Sequence, residues 1–195
     1  MRLLLLAPPG AGKGTQGERL AATYGVRHIA AGDLLRAEAQ AGTGAGREIA
    51  AYQARGDLVP DQIVLDVLTP AVTAAAAQGG YILDGFPRTL PQAIAAAELA
   101  ARLGVTLDAA VYLYAPDAVL TRRLLDRAGQ GGRADDVADV IQHRLGVYAE
   151  TTGPLVPYYT ERGILVAVDA DQPPDAVTAG IQTRLSGLSL TPARE

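Results

Sequence analysis

Apolar residues along this chain fall into short continuous runs separated by longer stretches of helical periodicity. Met1 to Leu6 is one such run, the pattern of a central parallel strand buried on both faces. Lys13 to Tyr24 reads as a helix stopped by Gly25. Residues 26–29 form a short second strand; its His28 packs or faces solvent and is assigned no chemistry. A helix begins within 30–36 with Asp33 near its N-terminus, and Arg47 to Arg55 is helical again after a 42–46 loop. A turn over 56–61 follows, with Asp61 capping a helix that runs to about Ala77. Residues 31–60 thus make a small helical excursion, a candidate binding arm. A strand then ends at Asp84, and Gly85-Phe86-Pro87-Arg88 forms a tight loop before a helix over Thr89–Arg102. Leu107–Tyr114 is the fourth strand, Pro116–Arg127 a helix, and 130–136 a loop. Helices over Val137–Thr151 and Pro154–Arg162, a fifth strand over Ile164–Asp169, a helix over Asp175–Leu185 and a frayed tail from Ser186 complete the chain.

Strands alternating with helices predict an α/β fold: a single domain built on a five-stranded parallel sheet with helices on both faces. Ligands of such sheets bind at the C-terminal strand ends. Gly10, Asp84 and the loop after Tyr114 fall on that edge.

Composition narrows the function classes. The chain has 195 residues, 49% of them apolar and only 19% charged, so it can bury a proper core. The net charge of −4 argues against a nucleic-acid binder, and no aromatic stacking platform accompanies the basic residues. The absence of cysteine excludes disulfides, a thiol nucleophile and Cys-based zinc, and two histidines make a His-rich metal site unexpected. The leucines after Met1-Arg2 are too few for a signal peptide, and no run approaches a membrane span. A cytoplasmic protein without a membrane partner is expected.

The first strand runs into Ala7-Pro8-Pro9-Gly10-Ala11-Gly12-Lys13-Gly14-Thr15 and then a helix, the order of a P-loop. Glycines let backbone N–H groups approach phosphate oxygens, and the helix N-terminus adds partial positive charge. Lys13 reaches the β- and γ-phosphates, and Thr15 can ligate Mg²⁺. Two positions depart from the strict pattern: Ala7 replaces the first glycine, and the hydroxyl comes one residue late. The alternative is a plain Gly/Pro turn, but Lys13 is the only lysine in a chain that otherwise uses arginine. Asp84, at the end of an adjoining strand, fits a water-mediated Mg²⁺ contact; the alternative is that it caps the next turn. Six arginines stand at strand ends or in the arm: Arg36, Arg88, Arg123, Arg127, Arg133 and Arg144. Arg123 and Arg127 share a helix face at i, i+4, where bare like charges repel by about 0.2–0.5 kcal/mol and a bound anion would offset the cost.

Five motifs in order along nearly the whole chain resemble the adenylate kinases, within the nucleoside monophosphate kinases. They are the P-loop through Gln16, Gly32-Asp33-Leu34-Leu35-Arg36, Leu83-Asp84-Gly85-Phe86-Pro87-Arg88-Thr89, Gln92, and Gly132-Arg133-Ala134-Asp135-Asp136. The resemblance implies a P-loop NTPase core, a monophosphate-binding arm over 31–60 and a short lid over 127–137, the form without zinc. It implies reversible, Mg²⁺-dependent phosphoryl transfer from ATP to AMP, giving two ADP. Gly10, Ala11, Gly12, Lys13, Gly14, Thr15, Arg123 and Arg127 would bind ATP. Ala31, Arg36, Asp57, Leu58, Val59, Gly85, Arg88, Gln92, Arg133 and Arg144 would bind AMP. Lys13, Arg88, Arg127, Arg133 and Arg144 would act in catalysis; Thr15 and, through water, Asp84 would hold Mg²⁺, with Asp33 a weaker candidate. Asp135 and Asp136 would hinge the lid. Members with this short lid are often monomers, so a monomer is expected. Ala31 stands where adenylate kinases usually carry threonine and matches UMP/CMP kinases instead, whereas Thr89 and Gln92 match the adenylate pattern. A UMP/CMP-type kinase, or a non-catalytic nucleotide sensor, stays open as the alternative.

Overall fold

The pleat of the first strand sets the layers of the molecule. In this computed structural model, which describes residues 1–55, 59–129 and 138–188, β1 (Arg2–Leu6) points alternate leucines to opposite faces. Leu3 and Leu5 enter one core with Leu20 of α1 (Lys13–Tyr24), Leu120 and Leu124 of α6 (Asp117–Gly129), Ile141 of α7 (Ala138–Thr151) and Ile181 of α9 (Pro174–Ser186). Leu4 and Leu6 enter the other, with residues of α2 (Ala31–Ala41), α3 (Gly44–Arg55), α4 (Asp61–Ala77), α5 (Leu90–Leu103) and α8 (Leu155–Glu161). Both sets are almost fully buried, which is why the run reads as unbroken leucine rather than as alternation.

β2 (Arg27–Ala30), β3 (Tyr81–Asp84), β4 (Ala109–Tyr114) and β5 (Leu165–Asp169) complete a parallel sheet in the order β2-β3-β1-β4-β5. This is the α/β architecture expected, with helices on both faces. The register is decisive for the site. Asp84, the last residue of β3, lies beside Leu5 of β1 and beside Ala30, the last residue of β2. Three strand ends therefore present the P-loop, the start of α2 and the Gly85–Arg88 loop at one place.

Several expected details differ. Asp61 does not cap α4: Pro60 occupies that position with no side-chain bond, and the Asp61 carboxylate instead accepts a hydrogen bond from Gln92 at 2.7 Å. The fourth strand starts at Ala109, because Asp108 turns to accept from the Arg2 backbone N–H at 2.6 Å. The second helix of the arm starts at Gly44, where Thr43 accepts from the Gly46 N–H at 2.8 Å. α9 runs through Ser186 and Leu188 packs on the core, so the tail begins later than expected; residues 189–195 lie outside the described part. No described helix is long and apolar enough to cross a membrane.

At the opposite edge of the sheet Gly80 closes the entry to β3. Its φ is +136°, and a Cβ there would stand 1.9 Å from the Met1 carbonyl oxygen, which the Tyr81 N–H already binds at 2.9 Å. Gly80→Ala is expected to cost about 2 kcal/mol or more, through both the left-handed backbone and the lost β1–β3 contact. The denaturant midpoint at unchanged slope measures it; a loss under about 0.5 kcal/mol would contradict this reading.

Candidate active site

The loop between β1 and α1 turns on two glycines with φ of +87°, Gly10 and Gly12. Gly10 needs its missing side chain twice over: a Cβ would meet the Leu120 carbonyl oxygen at 2.8 Å. The loop is thereby pressed onto α6. Gly12 is the N-terminal cap of α1, and no side chain caps that helix end, so its first N–H groups remain for an incoming anion. Gly12, Gly14 and Thr15 are exposed, and Ala11 is buried beneath them. A cleft of about 250 Å³ opens beside them, lined also by Arg123, Gln172 and Pro174. Arg123 and the P-loop glycines thus share one cavity, as the sequence led us to expect. Arg127 lies one turn further along α6, half-buried.

Lys13 begins α1, and its Nζ lies 3.3 Å from Oδ1 of Asp84. The other carboxylate oxygen of Asp84 lies 3.7 Å from His28 Nε2. That separation exceeds a hydrogen bond, and His28 Nε2 is buried with no hydrogen-bond partner. Burial pushes the Asp84 carboxyl up; the nearby imidazole and the Lys13 ammonium pull it down further, leaving it below the ordinary aspartate value of 3.8. Asp84 is therefore an ionised carboxylate at neutral pH, and not merely a turn cap.

His28 was missed as a site neighbour. The signal for it lies in α1: Gly17 sits mid-helix, where glycine costs about 1 kcal/mol against alanine. A Cβ at Gly17 would stand 2.4 Å from His28 Nε2, so the glycine makes room for the ring. Gln16 was also unassigned. It is buried, donates to the Pro174 carbonyl at 3.0 Å and accepts from Thr178 at 2.7 Å, fixing α1 to α9 behind the cleft.

On the other side of Asp84 the chain builds a rigid loop. Arg88 donates its backbone N–H to the Gln92 side-chain oxygen at 2.7 Å, and its Nε to the Gly85 carbonyl at 3.0 Å. The Arg88 carbonyl accepts from Thr152 at 2.9 Å, a contact no motif announced. Thr89 caps α5 by accepting from the Gln92 N–H. Buried Gln92 thus spans α4, through Asp61, and the Arg88 loop. Ala31 is buried at the start of α2, and a Cβ on Gly85 would lie within 4.0 Å of both Ala31 and the Arg88 guanidinium. Arg36, one turn along α2, is ion-paired with Asp33 at i, i+3, so Asp33 faces a cation of its own helix. Val59 is buried in the second core, and Arg144 is half-buried on α7. Asp57, Leu58, Arg133, Asp135 and Asp136 lie outside the described residues.

The chain was then compared with known proteins. The sequence model of the adenylate kinases matches residues 5–164. The chain belongs to the adenylate kinase family. It is 46% identical over 185 residues to an adenylate kinase of Synechococcus sp. strain WH7803, covering 95% of this chain and 98% of that one. It is 43% identical over 185 residues to one from Thermobifida fusca, covering 95% and 98%. The adenylate kinase of Stenotrophomonas maltophilia is 43% identical over 187 residues, covering 96% and 100%. Among the described residues no group of three or more His, Asp and Glu side chains gathers as a metal site. Mg²⁺ suits this edge of the sheet, because it keeps most of its waters and takes its remaining ligands from phosphate and one or two protein oxygens.

Because the folded pKa of Asp84 is depressed, its stabilising effect is complete above its unfolded value near 3.8 and fades as pH falls through the lower folded value. The stability gap between the wild type and Asp84→Asn, measured in EDTA, is expected to be constant from pH 7 to about 5 and to narrow below about 4. A gap that widens on acidification would show that the carboxyl is held up by burial rather than down by Lys13 and His28.

Proposed function

We propose that this protein transfers a phosphoryl group reversibly from MgATP to AMP, giving two ADP. One observation carries the reading: the P-loop and the Arg88 loop leave neighbouring parallel strands, with Leu5 and Asp84 in register. Adjacent strands lie about 4.8 Å apart, so a donor phosphate on the first loop and an acceptor phosphate on the second would be within reach of each other.

The acceptor's own phosphate oxygen attacks the γ-phosphorus in line, and the bond to the ADP leaving oxygen breaks as the new one forms. No covalent enzyme intermediate is needed. Terminal phosphates carry about −1.5 to −2 each at pH 7, so the chain's work is to supply cations and hold geometry. Gly10, Ala11, Gly12, Gly14 and Thr15 bind the ATP phosphates through the backbone, Lys13 and Arg127 grip them by charge, and Arg123 lines the base and phosphate cleft. Arg36 and Arg88 hold the AMP phosphate, with Ala31, Gly85 and the 57–59 segment lining the pocket and Gln92 reading the adenine edge. Arg127, Arg133 and Arg144 converge on the transferring group. Thr15 and, through water, Asp84 would hold Mg²⁺, which when bound would supply charge neutralisation for the donor phosphates. The arm over 31–60 and the lid over 127–137 close and exclude water, which would otherwise compete as acceptor. The protein works as a monomer in the cytoplasm, without zinc.

Ala31 favours a second acceptor class. Its buried methyl offers no hydroxyl to the acceptor, which suits CMP or UMP as well as AMP. A coupled assay with MgATP against AMP, CMP and UMP separates the two, and AMP is expected to lead. Arg88→Ala is expected to raise KM for AMP about 100-fold with KM for ATP nearly unchanged, the loss of charge-assisted phosphate bonds. Lys13→Met should lower kcat about 10³-fold or more, comparable with loss of a charge at the γ-phosphate in related transfers; circular dichroism checks that the variant, with Asp84 deprived of its ammonium, still folds. CMP or UMP turnover above AMP would overturn the acceptor assignment. Tight ATP binding with no transfer to any acceptor would make the protein a nucleotide sensor.

A further inference from the structure

A second cavity, of about 190 Å³, lies between α4, α5 and α8, with Phe86 and Pro87 of the Arg88 loop in its wall. Leu68, Leu83 and Phe86 wall it, and α5 turns Ala96, Ala97 and Ala100 towards it where larger side chains would have closed the gap. Thr73, Thr106 and Tyr159 also line it, and three further hydroxyls are already engaged. Thr69 donates to the Leu65 carbonyl at 2.6 Å, Tyr81 to Val105 at 2.7 Å, and Tyr158 to Ala93 at 3.4 Å. What faces the space is mostly carbon. A mostly apolar lining of this kind favours a small apolar molecule over water.

The rim carries one charge. Arg162 lines the opening, is exposed, and lies with its guanidinium carbon 3.5 Å from the centroid of the Tyr158 ring. Its Nη1 donates to the Tyr158 carbonyl at 3.2 Å, and it forms no ion pair among the described residues. Leu103 opens the other side of the rim and is 43% exposed. A mostly apolar slot with a single cation at its mouth is complementary to a chain with a single anionic end. We propose that this cavity binds a medium-chain alkanoate, its alkyl chain among Leu68, Phe86 and Ala97 and its carboxylate on Arg162. The cavity shares Phe86 and Pro87 with the Arg88 loop, but its binding is read without any nucleotide, so its failure would leave the proposed reaction untouched.

Titration calorimetry of the full chain with butanoate, hexanoate and octanoate, below their micelle concentrations, tests this without any variant. Affinity is expected to rise about 4-fold per added methylene, the equivalent of about 0.8 kcal/mol each, until the cavity is full. Methyl NMR shifts should centre on Leu68, Ala97 and Leu103. Arg162→Gln is expected to weaken octanoate about 5-fold and leave octanol unchanged. Ala97→Leu, which fills the slot, should abolish both; should that variant not fold, the chain-length series and Arg162→Gln decide alone. Octanol binding as tightly as octanoate in the wild type would overturn the carboxylate assignment. No saturable binding of any chain length, or sedimentation showing a dimer that buries Leu103, would overturn the site.

Discussion

A carboxylate buried at the end of a β-strand has to find positive charge, and that requirement organises the nucleotide edge of this sheet. Asp84 is almost fully buried between β1 and β2, and the chain's one lysine supplies the cation. An uncompensated charge at such a depth would cost several kcal/mol. The pair therefore fixes the start of α1 against β3, and with it the glycine loop. It also holds Lys13 at the strand ends before any phosphate arrives. Ordering a free lysine side chain costs up to about 2 kcal/mol of rotamer entropy, and here that cost is met in folding rather than in binding. Arginine would serve less well: a planar fork with five donors needs more partners than one carboxylate and a turning loop can give.

The Arg88 loop is built differently, from hydrogen bonds that fix backbone. The Arg88 N–H goes to Gln92 and the Arg88 carbonyl to Thr152, so the peptide groups on both sides of this residue are tied to separate segments. Gln92 in turn is tied to Asp61 on α4. Arg88 is thus held by α5 and by the turn after α7, and through Gln92 it is linked to α4. The two halves of the edge fit a common logic. Positioning rather than covalent chemistry is what phosphoryl transfer demands of a protein, and both halves serve it by fixing groups in place.

Much of this was legible in the chain. The leucine run, the glycine loop and the helix after it gave β1 and α1 with their boundaries, because burial on both faces and a left-handed turn leave few other residue choices. Arg123 was expected at the ATP phosphates from the family resemblance alone; it lines the same cavity as Gly10 and Gly12. What could not be read was long-range. Asp61 looked like a helix cap because it opens α4; only the packing of α4 on α5 shows that its carboxylate serves Gln92. Thr152 lies 64 residues from the backbone oxygen it binds, and one hydroxyl carries no pattern. His28 faces Asp84 because β2 pairs with β3, which the strand's own four residues do not announce. Its only local trace was a glycine inside a helix, legible as a cost without a visible reason until the imidazole was seen against it.

Selectivity for the acceptor base, under the proposed reaction, then rests on how firmly one amide is held. An amide side chain is ambiguous by itself, since oxygen and nitrogen can exchange places by a half-turn. At Gln92 the exchange is blocked: the oxygen meets an N–H, from Arg88, and the nitrogen meets a carboxylate, from Asp61. Reversing the group would set nitrogen against N–H and oxygen against oxygen, two repulsive contacts in a buried place. One lone pair and one N–H remain, a donor and an acceptor whose order is fixed by the protein. The adenine edge offers the complementary pair of an amino group and a ring nitrogen, whereas uracil offers a carbonyl where adenine has its amino group. A site built to hydrogen-bond its substrate rejects an analogue that leaves those bonds unmade far more strongly than an apolar wall rejects a change of shape. The buried methyl of Ala31 withdraws one contact from every acceptor alike. Under that reaction the orientation of Gln92, which Asp61 sets from outside every recognisable motif, would separate adenine from uracil but not from cytosine, whose amino group and ring nitrogen offer the same pair.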